Sequence, residues 1–298
     1  MPNTYVLITP AKNEEAFIEK TLAAIVSQTI LPKQWIIVND GSSDGTEAIV
    51  LNYASKHDFI KLVTIKESPH RNFKSKVEAF AAGYAHLKKF NYAYLGNLDA
   101  DVSFDSRYYE MILDRFARNP QLGIAGGTIC ETYFGKFKPR PSNSVRSVAG
   151  AVQLFRRECF EAIGGYIPLD VGGEDWMMEV MARMRGWQVE SFPDIKVFHH
   201  KSGSGIGRKI LRTCFLYGKL DFMVGCHPLF EMMKCARRVI ERPYLIGALC
   251  HLSGYLWASI YKTPWPVSQE IVKYLRQEQL QRMRLPIFKH HNEAALKN

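Results

Sequence analysis

Apolar residues recur along the first 200 positions in short runs that alternate with helical-period segments, the pattern of a parallel sheet joined by crossover helices. Residues 5–9, YVLIT, form the first run, and Pro10 halts it. Asn13, Glu14 and Glu15 then offer a cap residue and first-turn acids, and Phe17, Ile18, Leu22, Ile25 and Val26 follow at helical spacing to about Gln28. Residues 35–38, WIIV, predict a second strand. It empties into NDGSSDGT at 39–46, a loop of turn formers with a helix beginning at Thr46. A strand over 60–65 and a helix over 74–89 precede residues 94–102, YLGNLDADV, where a buried-looking strand ends in Asp99 and Asp101.

The remainder continues the alternation. The spacing predicts a helix over 105–119, a strand over 123–130, a mobile basic loop over 132–148, a strand over 151–155 and a short helix over 156–163. Gly172 and Gly173 free the backbone ahead of Glu174 and Asp175, which fall in the first turn of a helix through Met178, Val180 and Met181. Strands over 189–192 and 195–200 follow, the second ending in His199 and His200, and KSGSGIG at 201–207 reads as a loop able to close over a phosphate. Two amphipathic helices are expected near 210–220 and 230–240. Residues 244–261 carry no formal charge, but His251, three tyrosines and Trp257 make them weakly hydrophobic, which favours a packed or interfacial helix over a transmembrane one.

Composition sharpens this picture in two places. An apolar content of 47% over 298 residues supports a sizeable core and excludes disorder as the default. The net charge of +10 falls wholly in residues 201–298, which hold 16 Lys plus Arg against 6 Asp plus Glu. A basic tail with interleaved aromatic and apolar residues suits an anionic membrane surface better than nucleic acid. Six cysteines without a CxxC pair, and no recognisable leader, point to reduced thiols and a cytoplasmic setting.

The candidate chemistry centres on residues 94–102. Strand parity would put Asp99 and Asp101 on one side, where two carboxylates at a sheet edge imply one divalent cation shared with substrate phosphates, as Mg²⁺ or Mn²⁺ commonly is. The 39–46 loop lacks GxGxxG, which argues against a dinucleotide, and Asp40 can accept hydrogen bonds from a base or ribose. His70, Arg71, Lys74 and Lys76 are cations suited to a diphosphate, and His199 or His200 could add a nitrogen ligand. Each motif alone also fits an ordinary turn or helix cap.

Taken in order, PAKNEE, VNDGSSDGT, LDAD, GGEDW and the paired histidines, spread over residues 4–205, resemble the inverting glycosyltransferases of family 2, which have the GT-A fold. The resemblance implies an α/β catalytic domain over 1–205 with a mixed sheet flanked by helices, and a basic helical extension over 206–298. It further implies a nucleotide-diphosphate sugar donor, uridine-linked by preference, a Mn²⁺ or Mg²⁺ ion, and transfer of one sugar to a hydroxyl of a saccharide or lipid-linked saccharide. By the same resemblance Thr9, Pro10 and Glu14 match a first nucleotide-binding motif and Asp40 the base-binding aspartate. Asp99 and Asp101 match Asp-x-Asp, with Asp101 the direct metal ligand. Asp175 matches the general base and Glu174 the acceptor-side acid; His199 resembles a further metal ligand, with His200 as substitute. The processive signature Gln-x-x-Arg-Trp is missing from QEQLQRMR at 277–284, which implies single-sugar addition. A lipid-linked acceptor would suit a peripheral position on the inner face of the cell membrane.

Three rivals compete. LDADVS also resembles the motif of haloacid dehalogenase phosphohydrolases, although two βα units precede it where an early strand is usual. A sugar-nucleotide pyrophosphorylase would need a glycine-rich basic loop in place of PAKNEE. A membrane-associated scaffold retaining a transferase fold would need none of these acids for chemistry.

Overall fold

The computed structural model describes residues 4–65, 73–133, 135–169, 171–201, 208–240 and 243–284. Strands β1 (Tyr5–Ala11), β2 (Gln34–Asp40) and β3 (Ile60–Ile65) pair in parallel, and β4 (Tyr94–Asn97) joins the other side of β1, also parallel. Helices α1 (Ile18–Val26), α2 (Thr46–Ala54) and α3 (Phe73–Leu87) make the crossovers. Helices cover both faces of β1 and β4, so these strands are apolar without alternation. Tyr5, Leu7, Trp35 and Ile37 lie in the main core, where the Tyr5 ring stacks on Tyr109 at 4.4 Å.

Beyond β4 the sheet becomes mixed. Its order runs β3-β2-β1-β4-β8-β6-β9-β5, with β5 (Val102–Phe104), β6 (Leu122–Tyr133), β8 (Leu154–Arg156) and β9 (Gln188–His199); β7 (Lys136–Pro139) pairs with β6. Between these strands lie α4 (Tyr108–Arg118), a 3₁₀ turn (Gly150–Val152), α5 (Arg157–Ile163) and α6 (Glu174–Met184). β8 runs antiparallel to both neighbours, whereas β9 is parallel to β6. The α/β class with a mixed sheet is thus as the sequence implied.

Four local expectations are corrected. α1 starts at Ile18 rather than Asn13, because Asn13 adopts φ 55° and bonds a neighbouring loop instead of capping a helix. The two strands anticipated over 189–200 are one strand, β9, whose pairing with β6 slips between Phe192 and Lys196; Pro193, unable to donate to a ladder, occupies that bulge. Much of the supposed mobile loop over 132–148 is tied down, by β7 against β6 and by the Ser191 N–H donating to the Val145 carbonyl at 2.9 Å. Residues 151–155 give a 3₁₀ turn followed by β8, not one strand.

The chain divides into two compact units, residues 1–202 and 203–298. The second contains α7 (Arg208–Met223), α8 (Pro228–Arg238), α9 (Tyr244–Ile260) and α10 (Gln269–Arg284), the last without a counterpart in the sequence reading. α7 and α9 approach backbone to backbone. A Cβ on Gly218 would sit 1.8 Å from the His251 carbonyl oxygen, and one on Gly254 would sit 2.0 Å from that of Phe215. Among the described residues no helix is long and apolar enough to cross a membrane.

Candidate active site

The loops that follow β1 and β2 are stitched together by their own polar atoms. Asn13 Oδ1 accepts from the Ser43 N–H at 2.8 Å, Ser42 Oγ accepts from the Asn13 N–H at 3.0 Å, and Thr46 Oγ1 accepts from the Glu14 N–H at 2.8 Å. Glu15 returns the contact by accepting from the Gly45 N–H at 2.7 Å. PAKNEE and NDGSSDGT therefore form one rim at the carboxyl ends of parallel strands, where open α/β sheets bind their ligands. Lys12 Nζ lies 3.8 Å from the Asp40 carboxylate on this rim.

Asp99 and Asp101 do not leave the sheet along a strand. β4 ends at Asn97, and both acids occupy the turn before β5, so strand parity does not govern them and their carboxylates diverge. Asp99 forms an ion pair with Lys76 at 2.6 Å, while Asp101 meets His199 Nε2 at 3.2 Å. The antiparallel register that sets Val102 opposite His199 makes the second contact. It also decides between the two histidines: His200 turns away, its Nε2 2.8 Å from the Ser103 hydroxyl, and the expectation that it could substitute as a metal ligand is corrected.

One cleft of about 260 Å³ is lined by Pro10, Glu14, Asp40, Asp99 and Asp101 together with Lys12, Ser75, Lys76 and Lys201. Lys76 also borders a second recess, shared with Asn97, Tyr166, Glu174 and Asp175. Burial works against the charge on Lys76, but attraction to Asp99 and Glu174 prevails and raises its pKa. Glu174 is pushed up by burial, against the pull of the same lysine. Lys201 holds Glu14 at 2.6 Å, and burial raises the Glu14 pKa despite that partner.

Asp175 is held at the start of α6, where its Oδ1 accepts from the Trp176 N–H at 2.8 Å and its Oδ2 from the Gly150 N–H at 3.0 Å. The approach to Gly150 requires glycine, since a Cβ there would lie 2.7 Å from Asp175 Oδ2. One helical turn on, Glu179 accepts from the Val148 N–H at 2.7 Å and the Ser147 hydroxyl at 3.0 Å. Its burial lifts the pKa from the ordinary 4.5 to about 7, against the Val148 hydrogen bond. Two carboxylates on one face of α6 thus clamp the 147–150 segment.

Thr9 is the other correction. Its side chain is buried and its hydroxyl accepts from the Trp35 indole N–H at 2.9 Å, away from the cleft, because an odd position in β1 faces the same core as Tyr5 and Leu7. His70, Arg71 and the 202–207 part of the glycine and serine loop lie outside the described residues. Sequence reasoning missed Lys12, Glu131, Gly150 and Glu179. Only Glu179 carried a usable signal, its four-residue spacing from Asp175 on a helix.

The donor set fits a divalent cation. Asp101 is buried but for 6% of its surface, and His199 Nδ1 is buried without a hydrogen-bond partner among the described residues, with Glu131 Oε1 at 3.8 Å. The hydrogen bond to Asp101 raises the His199 pKa despite burial. A carboxylate lining the cleft and an imidazole 3.2 Å behind it would leave most positions of Mn²⁺ or Mg²⁺ to phosphate oxygens and water.

A mixed sheet with this rim and acidic turn at its carboxyl edge defines a GT-A glycosyltransferase fold. Residues 6–172, more than half of the chain, match Glycosyl transferase family 2, and the chain belongs to that family. It is 33% identical over 181 residues to a poly-β-1,6-N-acetyl-D-glucosamine synthase of Staphylococcus epidermidis, covering 55% of this chain and 42% of that protein. The corresponding synthase of Staphylococcus aureus is 27% identical over 201 residues, covering 61% and 46%. The chain therefore spans less than half the length of these curated relatives. Among solved structures, the mannosyltransferase PcManGT of Pyrobaculum calidifontis, in complex with GDP-Man and Mn²⁺, aligns at a TM-score of 0.58 and 19% identity over 97% of this chain and 82% of that one. TarS 1-349 of S. aureus in complex with UDP-GlcNAc aligns at 0.54 and 15% identity over 91% and 78%. At such identities these likenesses bear on the fold alone.

Proposed function

We propose that this protein transfers a single sugar, with inversion, from a nucleotide-diphosphate donor to a hydroxyl of a saccharide or lipid-linked saccharide, with Mn²⁺ or Mg²⁺ at Asp101 and His199. The observation that carries the reading is Lys76, which borders both the Asp99/Asp101 cleft and the Glu174/Asp175 recess. A diphosphate in the first and an acceptor in the second would meet at this lysine.

Asp40, at the end of β2, would receive the base or ribose; a uridine donor is the working choice. Pro10 and Glu14 would shape the nucleotide side, and Lys12, Lys76 and Lys201 would face the diphosphate. Asp99 would hold Lys76 in place through its 2.6 Å ion pair. When bound, the cation supplies charge to the departing diphosphate. Asp175 would take the proton from the acceptor hydroxyl as it attacks, oriented by the Gly150 and Trp176 N–H groups. Glu174, beside it and raised by burial, would hydrogen-bond the acceptor.

The test is a thermal-shift panel of nucleoside diphosphates with Mn²⁺, followed by a transfer assay with the donor so identified. The reading expects one diphosphate to stabilise the protein only with metal, and Asp175→Asn to keep that shift while transfer falls by about 10²–10⁴-fold. Metal-independent binding, or full transfer by the variant, would overturn it.

A further inference from the structure

α9 is built inside out for a helix in water. Its inward face consists of small or polar residues, Gly247, Ala248, His251, Gly254 and Ala258 with Tyr255, and the glycine contacts with α7 leave no room for larger ones. Its outward face carries the large apolar side chains. Leu245, Ile246, Leu249, Leu256, Trp257 and Ile260 are all exposed, Ile260 by 75%, and at about 100° per residue they share an arc of roughly 120°. None of the 17 residues of α9 bears a formal charge.

This exposure is concentrated in one part of the protein. Of the 20 large hydrophobic residues exposed among the described residues, 15 lie from Ile210 onward, within the 203–298 unit. A water-facing surface of that size is unusual unless something covers it. Small residues at a helix-helix seam with large ones outside is the arrangement of helices packed in lipid, where burying apolar side chains between helices gains nothing.

The rim identifies the cover. Tyr244 opens α9, Trp257 and Tyr261 close it, and Lys219 Nζ lies 5.2 Å from the Trp257 ring. Exposed Lys262, just past α9, adds positive charge, in the region that carries the protein's whole surplus. Amphipathic aromatics and cations flanking an apolar face match the interface of an anionic bilayer. With no helix among the described residues able to cross a membrane, such a face would lie in the interface plane. We infer that the outward face of α9 inserts into the headgroup boundary of an anionic phospholipid membrane. The inference rests on the geometry of this helical unit and is independent of the catalytic reading.

Flotation of the full chain with vesicles of phosphatidylcholine, alone or with a minority of phosphatidylglycerol, tests it. The protein should float with the anionic vesicles, more weakly at high salt. Leu249→Glu and Ile260→Glu, at exposed positions that leave the core intact, should each lower the partition coefficient on the order of tenfold to a hundredfold. Leu51→Glu, an exposed apolar position on α2, should change nothing. Failure of the wild type to float, equal binding to both vesicle types, or unchanged binding by both glutamate variants would overturn the inference. So would light scattering that finds a dimer which the same glutamates dissociate, since a second copy would then be the cover. The nucleotide thermal shift, measured on the same variants and expected to be unaltered, separates failure here from failure of the proposed chemistry.

Discussion

His199 lies 3.2 Å from the Asp101 carboxylate at the edge of the cleft, and His251 lies 2.7 Å from Asp221 and 2.8 Å from Glu231 inside the helical unit. Judged on ligand spacing alone, the second cluster is the better metal site: Glu231, Cys235 and His251 present atoms all within 4.8 Å, and no other such trio occurs among the described residues. Its surroundings decide otherwise. Arg238, which only donates, sits 2.6 Å from His251 Nδ1 and requires a lone pair there, although the two carboxylates favour a protonated ring. The proton then stays on Nε2, facing the acids, and neither nitrogen is left for an ion. In metal sites the second nitrogen instead donates outward. Lys234 pairs with Asp221 and holds its pKa down against burial, so the cluster neutralises itself. Around His199 the arrangement differs: among the described residues Nδ1 has no hydrogen-bond partner, with Glu131 Oε1 3.8 Å away, and Asp101 on the other side of the ring lines an open cleft. An acid-histidine pair is a candidate binding site only where its environment leaves it incomplete.

Four experiments press on this contrast. The largest effect is expected at the open pair, where Asp101→Asn should cut transfer by at least about a hundredfold and abolish the extra thermal shift Mn²⁺ gives a nucleoside diphosphate, with little change in stability without ligand. Next, Asp221→Ala should lower stability by about 1–3 kcal/mol in denaturant unfolding, since it leaves Glu231 as the one carboxylate shared by half-buried Lys234 and buried His251, yet leave nucleotide binding by the folded fraction intact. A variant as stable as the wild type would break the distinction.

The third concerns Glu179, which supports the 147–150 segment without touching the cleft. Between its unfolded value near 4.5 and its folded value of about 7, the native state keeps a proton that the unfolded chain has released. Its contribution is therefore full below the lower value and lost as pH rises through the upper one. Glu179→Gln should flatten that decline by about 1–3 kcal/mol, read from stability against pH. The smallest effect belongs to His200→Ala, expected to alter metal-dependent nucleotide affinity less than about threefold by titration calorimetry, because its ring is committed to Ser103.

The legible part of the site consisted of residues whose neighbours in sequence explain them. Pro10 and Asp40 lie at the ends of strands that announce themselves by apolar runs, Glu14 follows the first of these, and all three line the cleft. Thr9 was misjudged by one position, because an apolar-rich strand does not tell which side of the sheet a hydroxyl will face. Asp99 and Asp101 were expected at the end of a strand, on one side of it, and lie instead in the turn between β4 and β5. Where β4 stops depends on hydrogen bonds from Asn97 and Asp99 to the 151–153 backbone, more than fifty residues away. The choice of His199 over His200, and the pairing of Gly150 with Asp175, likewise needed partners distant in the chain.

By itself, the sequence determined the βα alternation, the order of acidic and histidine motifs, and the concentration of positive charge in the last hundred residues. These follow from periodicity and composition, which act over a few neighbouring positions. Tertiary structure alone decided that Lys76 borders two recesses, that one histidine cluster is open and the other sealed, and that α9 turns its large side chains outward. Each depends on which groups satisfy which across long loops, and charge, burial and close backbone approach take their values only once those groups have met.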